Sequence, residues 1–470
     1  MPAFFIVLHF VAAASIHAFP RIDPDPFFSS LGEAVEPLDV EALIDAALRA
    51  SGATEAETLN AKTAIVESIS RLRSEVPEER DGREKAEYVL QFLHEHHFRY
   101  YDEYQTRVDM VISDGGFNCV SSAVLYMIFS RSVGVPVIGI GTPDHAFCAA
   151  VLSEGNIDVE TTSSYGFDPG KKKEFHDAFG NVTGYSYVPP SAYAARSELS
   201  ERELIALILQ NRISMLESGK RYDKALELAA DRYAMAPGDS TGNHLFRGAI
   251  NYAALLNERK EYSEALEFLT GFINTYGWND SVREIFGILH YNRVVVLIQS
   301  EAFEEAIEAM NELEAPGWID SNILQDLRAQ VAERIIAKQL PALTPEAGFK
   351  LLAALRDDGL LSSSRYTDFA VMIASNEADV FAAAGEFLQA ATIIERAIEA
   401  IGADRRLESA RAAYRYNFAV DAHNTFAALF NGGEYDAARR LLEEAIEKVP
   451  DSDILQKDLR LLEKRLQPTD

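Results

Sequence analysis

The chain has 470 residues, 48% apolar and 25% charged, with a formal charge of −29 and a pI near 4.8. That length exceeds a single hydrophobic core and predicts two or three domains. Phosphate binding needs clustered Lys and Arg, so the acidic balance argues against nucleic acid and against electrostatic attachment to anionic lipid. The one basic run, Lys171-Lys172-Lys173, reads as a solvated loop.

The chain opens MPAFFIVLHFVAAASIHAFPRID. Phe4 to Ala14 is apolar and has the length of a signal-peptide core, with small residues Ala12, Ala14, Ser15 and Ala18 near its end. No Lys or Arg precedes it, and it is too short to cross a bilayer as a mature helix. The expectation is a signal peptide over residues 1–18 that exports a bacterial protein to the periplasm or beyond. If the run is retained, it is a buried helix of a cytoplasmic protein. PRIDPDPFF after it reads as a linker, and no other stretch is long and apolar enough to span a membrane.

Residues 36–112 show helical periodicity with charged faces. LDVEALIDAALRASG predicts a helix ending at Gly52, and GREKAEYVLQFLHEHHF another, with Ala86, Val89, Leu90 and Leu93 on one stripe. His94, His96 and His97 at its end do not share one face, and no thiol or carboxylate cluster joins them. They read as a polar helix end, with no metal site.

Residues 113–190 change character: one apolar helix, then β-like runs VPVIGIG, HAFCAAVL and NIDVETT separated by Gly, Pro and Asn. The helix region is GGFNCVSSAVLYMIFSR. Asn118 suits an N-cap, and Gly115-Gly116 let the backbone approach closely. Val120, Ala123, Val124, Met127 and Ile128 make one side apolar, and Leu125 and Phe129 the other, which predicts a buried helix. Gly134 and Pro136 stop it near Val133. Cys119 then lies in its first turn, where the positive end of the helix dipole favours thiolate over thiol. Taken alone, Cys119 is equally an ordinary core residue. In an oxidising compartment it could pair with Cys148, the only other cysteine.

A nucleophilic cysteine needs a base and a group that orients the base. His145 opens a predicted strand in which His145, Phe147, Ala149 and Val151 share a face, with Cys148 on the other. A two-residue turn at Ser153-Glu154 sets Thr162 opposite His145 and Glu160 on the diagonal, within reach of long side chains. Asp158 lies on the same face further along, and a turn of odd length would point both carboxylates away.

FNCVSSAVLY, VPVIGIGTPDHAF and IDVETT, within roughly residues 85–170, together resemble the transglutaminase-like superfamily, which has a papain-like cysteine fold. The resemblance implies that Cys119 is the nucleophile, His145 the general base and Glu160 the orienting carboxylate, with Asp158 as the alternative. The family usually has Asp where this chain has Glu160. The implied chemistry is acyl transfer. Cys119 attacks a carboxamide or peptide carbonyl, and water (peptidase or amidase) or an amine (crosslinking) releases the acyl group, with no metal or organic cofactor. The Cys119 N–H is a natural oxyanion donor, and Tyr101 or Gln105 of YYDEYQ is a candidate side-chain donor.

After Pro189-Pro190 the pattern is helical nearly to the end. An aromatic is followed three residues later by Ala at Tyr222/Ala225, Tyr262/Ala265, Phe303/Ala306, Phe387/Ala390 and Tyr435/Ala438. Ala229, Leu269, Met310, Ile394 and Leu442 stand seven past the aromatic, and Gly385 and Gly433 two before it. The 84-residue gap between Phe303 and Phe387 leaves room for one degenerate unit. This pattern resembles the tetratricopeptide repeat, in longer and imperfect units, and implies a solenoid with a concave surface for a protein or peptide.

The expected architecture is an α+β transglutaminase-like, papain-like domain over 36–190 with a helical N-terminal part, joined to an all-α, tetratricopeptide-like domain over 200–466. The expected function is a cysteine hydrolase or acyl transferase with a protein-interaction domain. The alternative is an inactive peptide-binding scaffold that works through its repeats.

Overall fold

Four side chains start the first four helices. Asp25, Asp39, Thr54 and Asp81 each accept a backbone N–H from the first turn of α1 (Pro26–Glu33), α2 (Val40–Ser51), α3 (Glu55–Glu75) and α4 (Gly82–His96). Gly52 ends α2 in the left-handed conformation, as its sequence predicts. The computed structural model describes residues 19–76, 78–170, 175, 196–314 and 320–466. The expected signal peptide, Lys171-Lys172-Lys173 and Pro189-Pro190 lie outside the described residues.

The chain is mostly helical with a small sheet region. It divides into one unit up to Phe286 and a second from Gly287. In the first unit, β1 (Tyr100–Tyr101) pairs in parallel with β2 (Gly116–Phe117), on either side of α5 (Val108–Asp114). After α6 (Cys119–Ser132) come β3 (Val137–Gly141), β4 (Ala146–Leu152), β5 (Gly155–Val159) and β6 (Ser197–Leu199), an antiparallel sheet in the order β5-β4-β3-β6. Leu152 pairs with Gly155, so the turn is Ser153-Glu154, and the register runs to Cys148–Val159. Val120 to Ser130 of α6 are all buried. Residues such as Leu125 and Phe129 each contribute about 1.5–3 kcal/mol when fully withdrawn from water.

The compact units do not divide at residues 190–200, where the sequence suggests a boundary. α7 (Glu201–Ser218) packs against α2 and α6, and Leu204, Ile205, Ile208 and Leu209 belong to the same core as Leu125 and Phe129. α8 (Tyr222–Met235), α9 (Asp239–Glu258) and α10 (Tyr262–Tyr276) follow in the same unit, each packed on its predecessor.

PRIDPDPFF is not a linker. Arg21 pairs with Asp231 at 2.9 Å, the Asp25 N–H donates to Asp231 Oδ1 at 2.7 Å, and Tyr276 Oη donates to the Ile22 carbonyl at 2.7 Å. Its prolines fix an extended lead-in and the first turn of α1, which then packs on α8.

α11 (Asp280–Gln299) crosses the division. The second unit continues with α12 (Phe303–Glu314), α13 (Ser321–Gln339), α14 (Pro345–Asp357), α15 (Ser363–Ala383), α16 (Phe387–Ile401), α17 (Arg405–Asn431), α18 (Tyr435–Lys448) and α19 (Asp453–Leu466).

Each of the five aromatic anchors is the first residue of a helix: α8, α10, α12, α16 and α18. Ala225, Ala265, Ala306, Ala390 and Ala438 are buried, as are Ala229, Leu269, Met310, Ile394 and Leu442. Two residues before each anchor the backbone is left-handed, at Lys220, Lys260, Glu301, Gly385 and Gly433. One turn thus recurs five times. The N–H just before the anchor reaches back to a carbonyl of the preceding helix, as in Arg221 to Leu216 and Glu434 to Leu429. The long gap holds α14, whose Pro345 stands midway between Phe303 and Phe387, with Gly348 and Leu352 buried in the positions of the alanine and the apolar residue. A Cβ on Gly348 would lie 2.8 Å from Leu340 Cδ1, so even alanine crowds that contact.

Candidate active site

Three segments meet at the N-terminus of α6. Asn118 caps it twice over: Oδ1 accepts from Val120 N–H at 3.0 Å and Ser121 N–H at 2.9 Å, and its own N–H donates to Ser121 Oγ at 3.0 Å. The residue 102–106 loop is tied to the same end by Asn118 Nδ2 to the Glu103 carbonyl (3.1 Å) and Ser121 Oγ to the Gln105 carbonyl (2.9 Å). Cys119 is half-buried, the first residue of the helix, with its N–H donated to nothing among the described residues.

His145 precedes β4 and Glu160 follows β5, so the hairpin turn sets their approach. His145 Nε2–H donates to Glu160 Oε2 at 2.7 Å, and the His145 side chain is hydrogen-bonded to that of Cys119. With Nε2–H given to the carboxylate, Nδ1 is the ring nitrogen able to take a thiol proton. Glu160 is 3% exposed and its other oxygen accepts from the Thr162 N–H (3.1 Å) and Oγ1 (2.7 Å). Burial works against the imidazolium, but the Glu160 charge and the Cys119 hydrogen bond outweigh it and raise the His145 pKa. Burial also penalises the Glu160 carboxylate, yet His145 and the two Thr162 donors hold its pKa below the ordinary carboxylate value.

Cys119, His145 and Glu160 are therefore brought together, and Asp158 is not. Asp158 faces Arg196, whose guanidinium donates to both carboxylate oxygens at 2.8 and 2.5 Å. Thr162 does not extend the ladder opposite His145. The chain turns after Val159, and the Glu160 N–H donates to the Gly166 carbonyl at 2.8 Å. A Cβ at Gly166 would lie 1.9 Å from the Glu160 carbonyl oxygen, so that turn requires glycine.

The two cysteines are not paired. Cys119 and Cys148 are both free thiols, and Cys148 Sγ contacts the Ala123 carbonyl at 3.4 Å inside the core. Burial pushes the Cys148 thiol pKa up. Gln105 turns its side-chain oxygen to the Arg107 N–H (3.2 Å), and Tyr101 packs edge-on against Phe117.

His94 and His97 correct the reading of a polar helix end. His94 Nε2 donates to the Thr161 carbonyl at 3.1 Å, and His97 Nε2 contacts Ser68 Oγ at 2.7 Å. Burial lowers both pKa values to about 4. The signal was present in the sequence: His94 and His97 stand four residues past Leu90 and Leu93, on the apolar stripe. Thr161 is held again by Ser122 Oγ at 2.8 Å, so α4 and α6 both grip the residue after Glu160. No known family model matches the chain, and no curated protein matches it.

Proposed function

We propose that the protein is a cysteine hydrolase or acyl transferase of the transglutaminase-like type, acting on protein or peptide substrates, with tetratricopeptide-like repeats that hold those substrates. The observation that carries this reading is the Cys119–His145–Glu160 constellation at the start of a buried helix. His145 takes the thiol proton, and Cys119 Sγ attacks the acyl carbon. The Cys119 N–H faces the developing oxyanion, and His145 returns the proton to the leaving amine. Water or a second amine then releases the acyl group. Glu160 holds the imidazole in the productive tautomer and offsets its charge.

The test is iodoacetamide alkylation of Cys119 in a Cys148→Ser background, with and without His145→Ala. At about pH 6.5 the His145 variant should label at least about tenfold more slowly. Equal rates in the two backgrounds would remove the enzymatic reading and leave a peptide-binding scaffold.

A further inference from the structure

His94 and His97, both half-buried at the end of α4, spend their polar atoms on different partners. His97 Nε2 meets Ser68 Oγ of α3, and its ring packs against Phe129 of α6. His94 reaches a backbone carbonyl, that of Thr161, at 3.1 Å. A carbonyl only accepts, so the His94 proton is on Nε2. Burial keeps that ring neutral. Ala86, Val89, Leu90 and Leu93 already supply the buried stripe of α4. An apolar side chain at position 94 would extend that stripe, so the bond to Thr161 is what histidine adds there.

Thr161 stands between Glu160 and the residue that holds it. Thr162 follows, and its N–H and Oγ1 fix Glu160 Oε1. Thr161 itself is buried. Its Oγ1 shares a hydrogen bond with Ser122 Oγ, which also donates to the Cys119 carbonyl at 3.2 Å. The His94 ring stands edge-on to Phe98 and Phe117, with centroids 5.1 and 5.9 Å away. Phe117 is buried, pairs with Tyr101 between β1 and β2, and lies two residues before Cys119. One side chain thus touches the segment that delivers Glu160 and the segment that delivers Cys119. A displaced Thr161 would carry Glu160 and its Thr162 donors with it, and the 2.7 Å bond to His145 would not survive a shift of about 1 Å.

We infer that His94 is a positioning residue for the thiol chemistry: through the Thr161 carbonyl it holds the Glu160 carboxylate on His145, and through Phe117 it ties that carboxylate to the segment that ends in Cys119. It acts through Glu160 rather than on the reacting atoms. The inference rests on the enzymatic reading of Cys119. A neutral ring suits the role, because the Glu160 charge reaches His94 and a second imidazolium there would compete with His145 for it.

The test is the pH dependence of Cys119 alkylation by iodoacetamide in the full chain with Cys148→Ser. The parent should label with an apparent midpoint well below the value of about 8.5 for a free cysteine. His94→Leu should raise that midpoint and slow labelling at about pH 6.5 by about fivefold or more. His94→Gln keeps an N–H at the reach of Nε2 and should restore the rate to within about twofold of the parent. His97→Leu removes the other half-buried histidine and should stay within about twofold as well. If His94→Leu does not fold, His94→Asn, whose amide falls short of the carbonyl, takes its place throughout. A His94→Leu rate within about twofold of the parent, a His94→Gln rate no better than that of His94→Leu, or equal slowing by His97→Leu would each overturn the assignment. A parent that labels only with the free-cysteine midpoint would remove the enzymatic reading itself, whereas a fast parent indifferent to His94 removes this inference alone.

Discussion

The Glu160 carboxylate is divided between duties: Oε2 takes the His145 Nε2–H at 2.7 Å, and Oε1 takes both donors of Thr162. Its geometry is thus fixed without His145. Glu160→Gln should therefore slow Cys119 alkylation at about pH 6.5 by roughly tenfold or more, because the amide can present an N–H to the ring and disfavour the productive tautomer. Asp158→Asn, which disturbs only the contact with Arg196, should stay within about twofold of the parent. The reverse ranking would assign the orienting role to Asp158.

Gly166→Ala should be costly. The added carbon falls 1.9 Å from the Glu160 carbonyl oxygen, which belongs to the backbone and cannot swing aside. Loss of about 2–4 kcal/mol in urea unfolding is expected, with slower Cys119 labelling in whatever fraction stays folded. A loss below about 0.5 kcal/mol would show that the turn is not held as described.

Acid should weaken the first unit before the carboxylates titrate. His94 and His97 protonate near 4 when folded, against an ordinary value of 6.5. Between those values the unfolded chain binds more protons, so stability is complete above about pH 6.5 and is lost as pH falls toward 4. Each contributes about 1–3 kcal/mol over that window. His97→Asn should flatten the pH dependence of urea midpoints there, and an unchanged slope would mean that His97 is solvated.

The repeated turn makes a signed prediction. Lys220, Lys260 and Glu301 occupy left-handed positions that Gly385 and Gly433 fill elsewhere in the chain. Lys260→Gly should stabilise by about 0.5–1 kcal/mol, the relief of strain exceeding the extra entropy of unfolded glycine. Gly433→Ala should destabilise by about 1 kcal/mol or more, since no atom lies within 4 Å of its Cβ position and the strain is conformational. Thermal melts of the two variants moving in the same direction would contradict this.

Much of this was legible in the residues. Asn118 with Gly134 and Pro136 bounded the central helix, and Ser153-Glu154 set the hairpin register that separates Glu160 from its neighbours. The aromatic–alanine pairs marked five helix starts. The α14 unit stayed hidden because Pro345 and Gly348 replace the aromatic and the alanine. Three of the five left-handed turns carry Lys or Glu, which give no local signal for positive φ. The choice of Glu160 over Asp158 depended on Arg196, which pairs from a distant part of the chain. The first compact unit runs past 190–200 to Phe286, and in sequence an amphipathic helix reads the same whether it stacks on a repeat or completes another core.

That last point gives α7 a mechanical meaning. Leu204, Ile205, Ile208 and Leu209 are set into the core that holds α6, while Gln210 and Glu217 on the same helix stand beside Arg232 and Arg247. α7 is therefore part of the packing that seats the helix beginning at Cys119. Shortening Ile208 to alanine is expected to loosen the seat of the helix that begins at Cys119 as well as α7 itself.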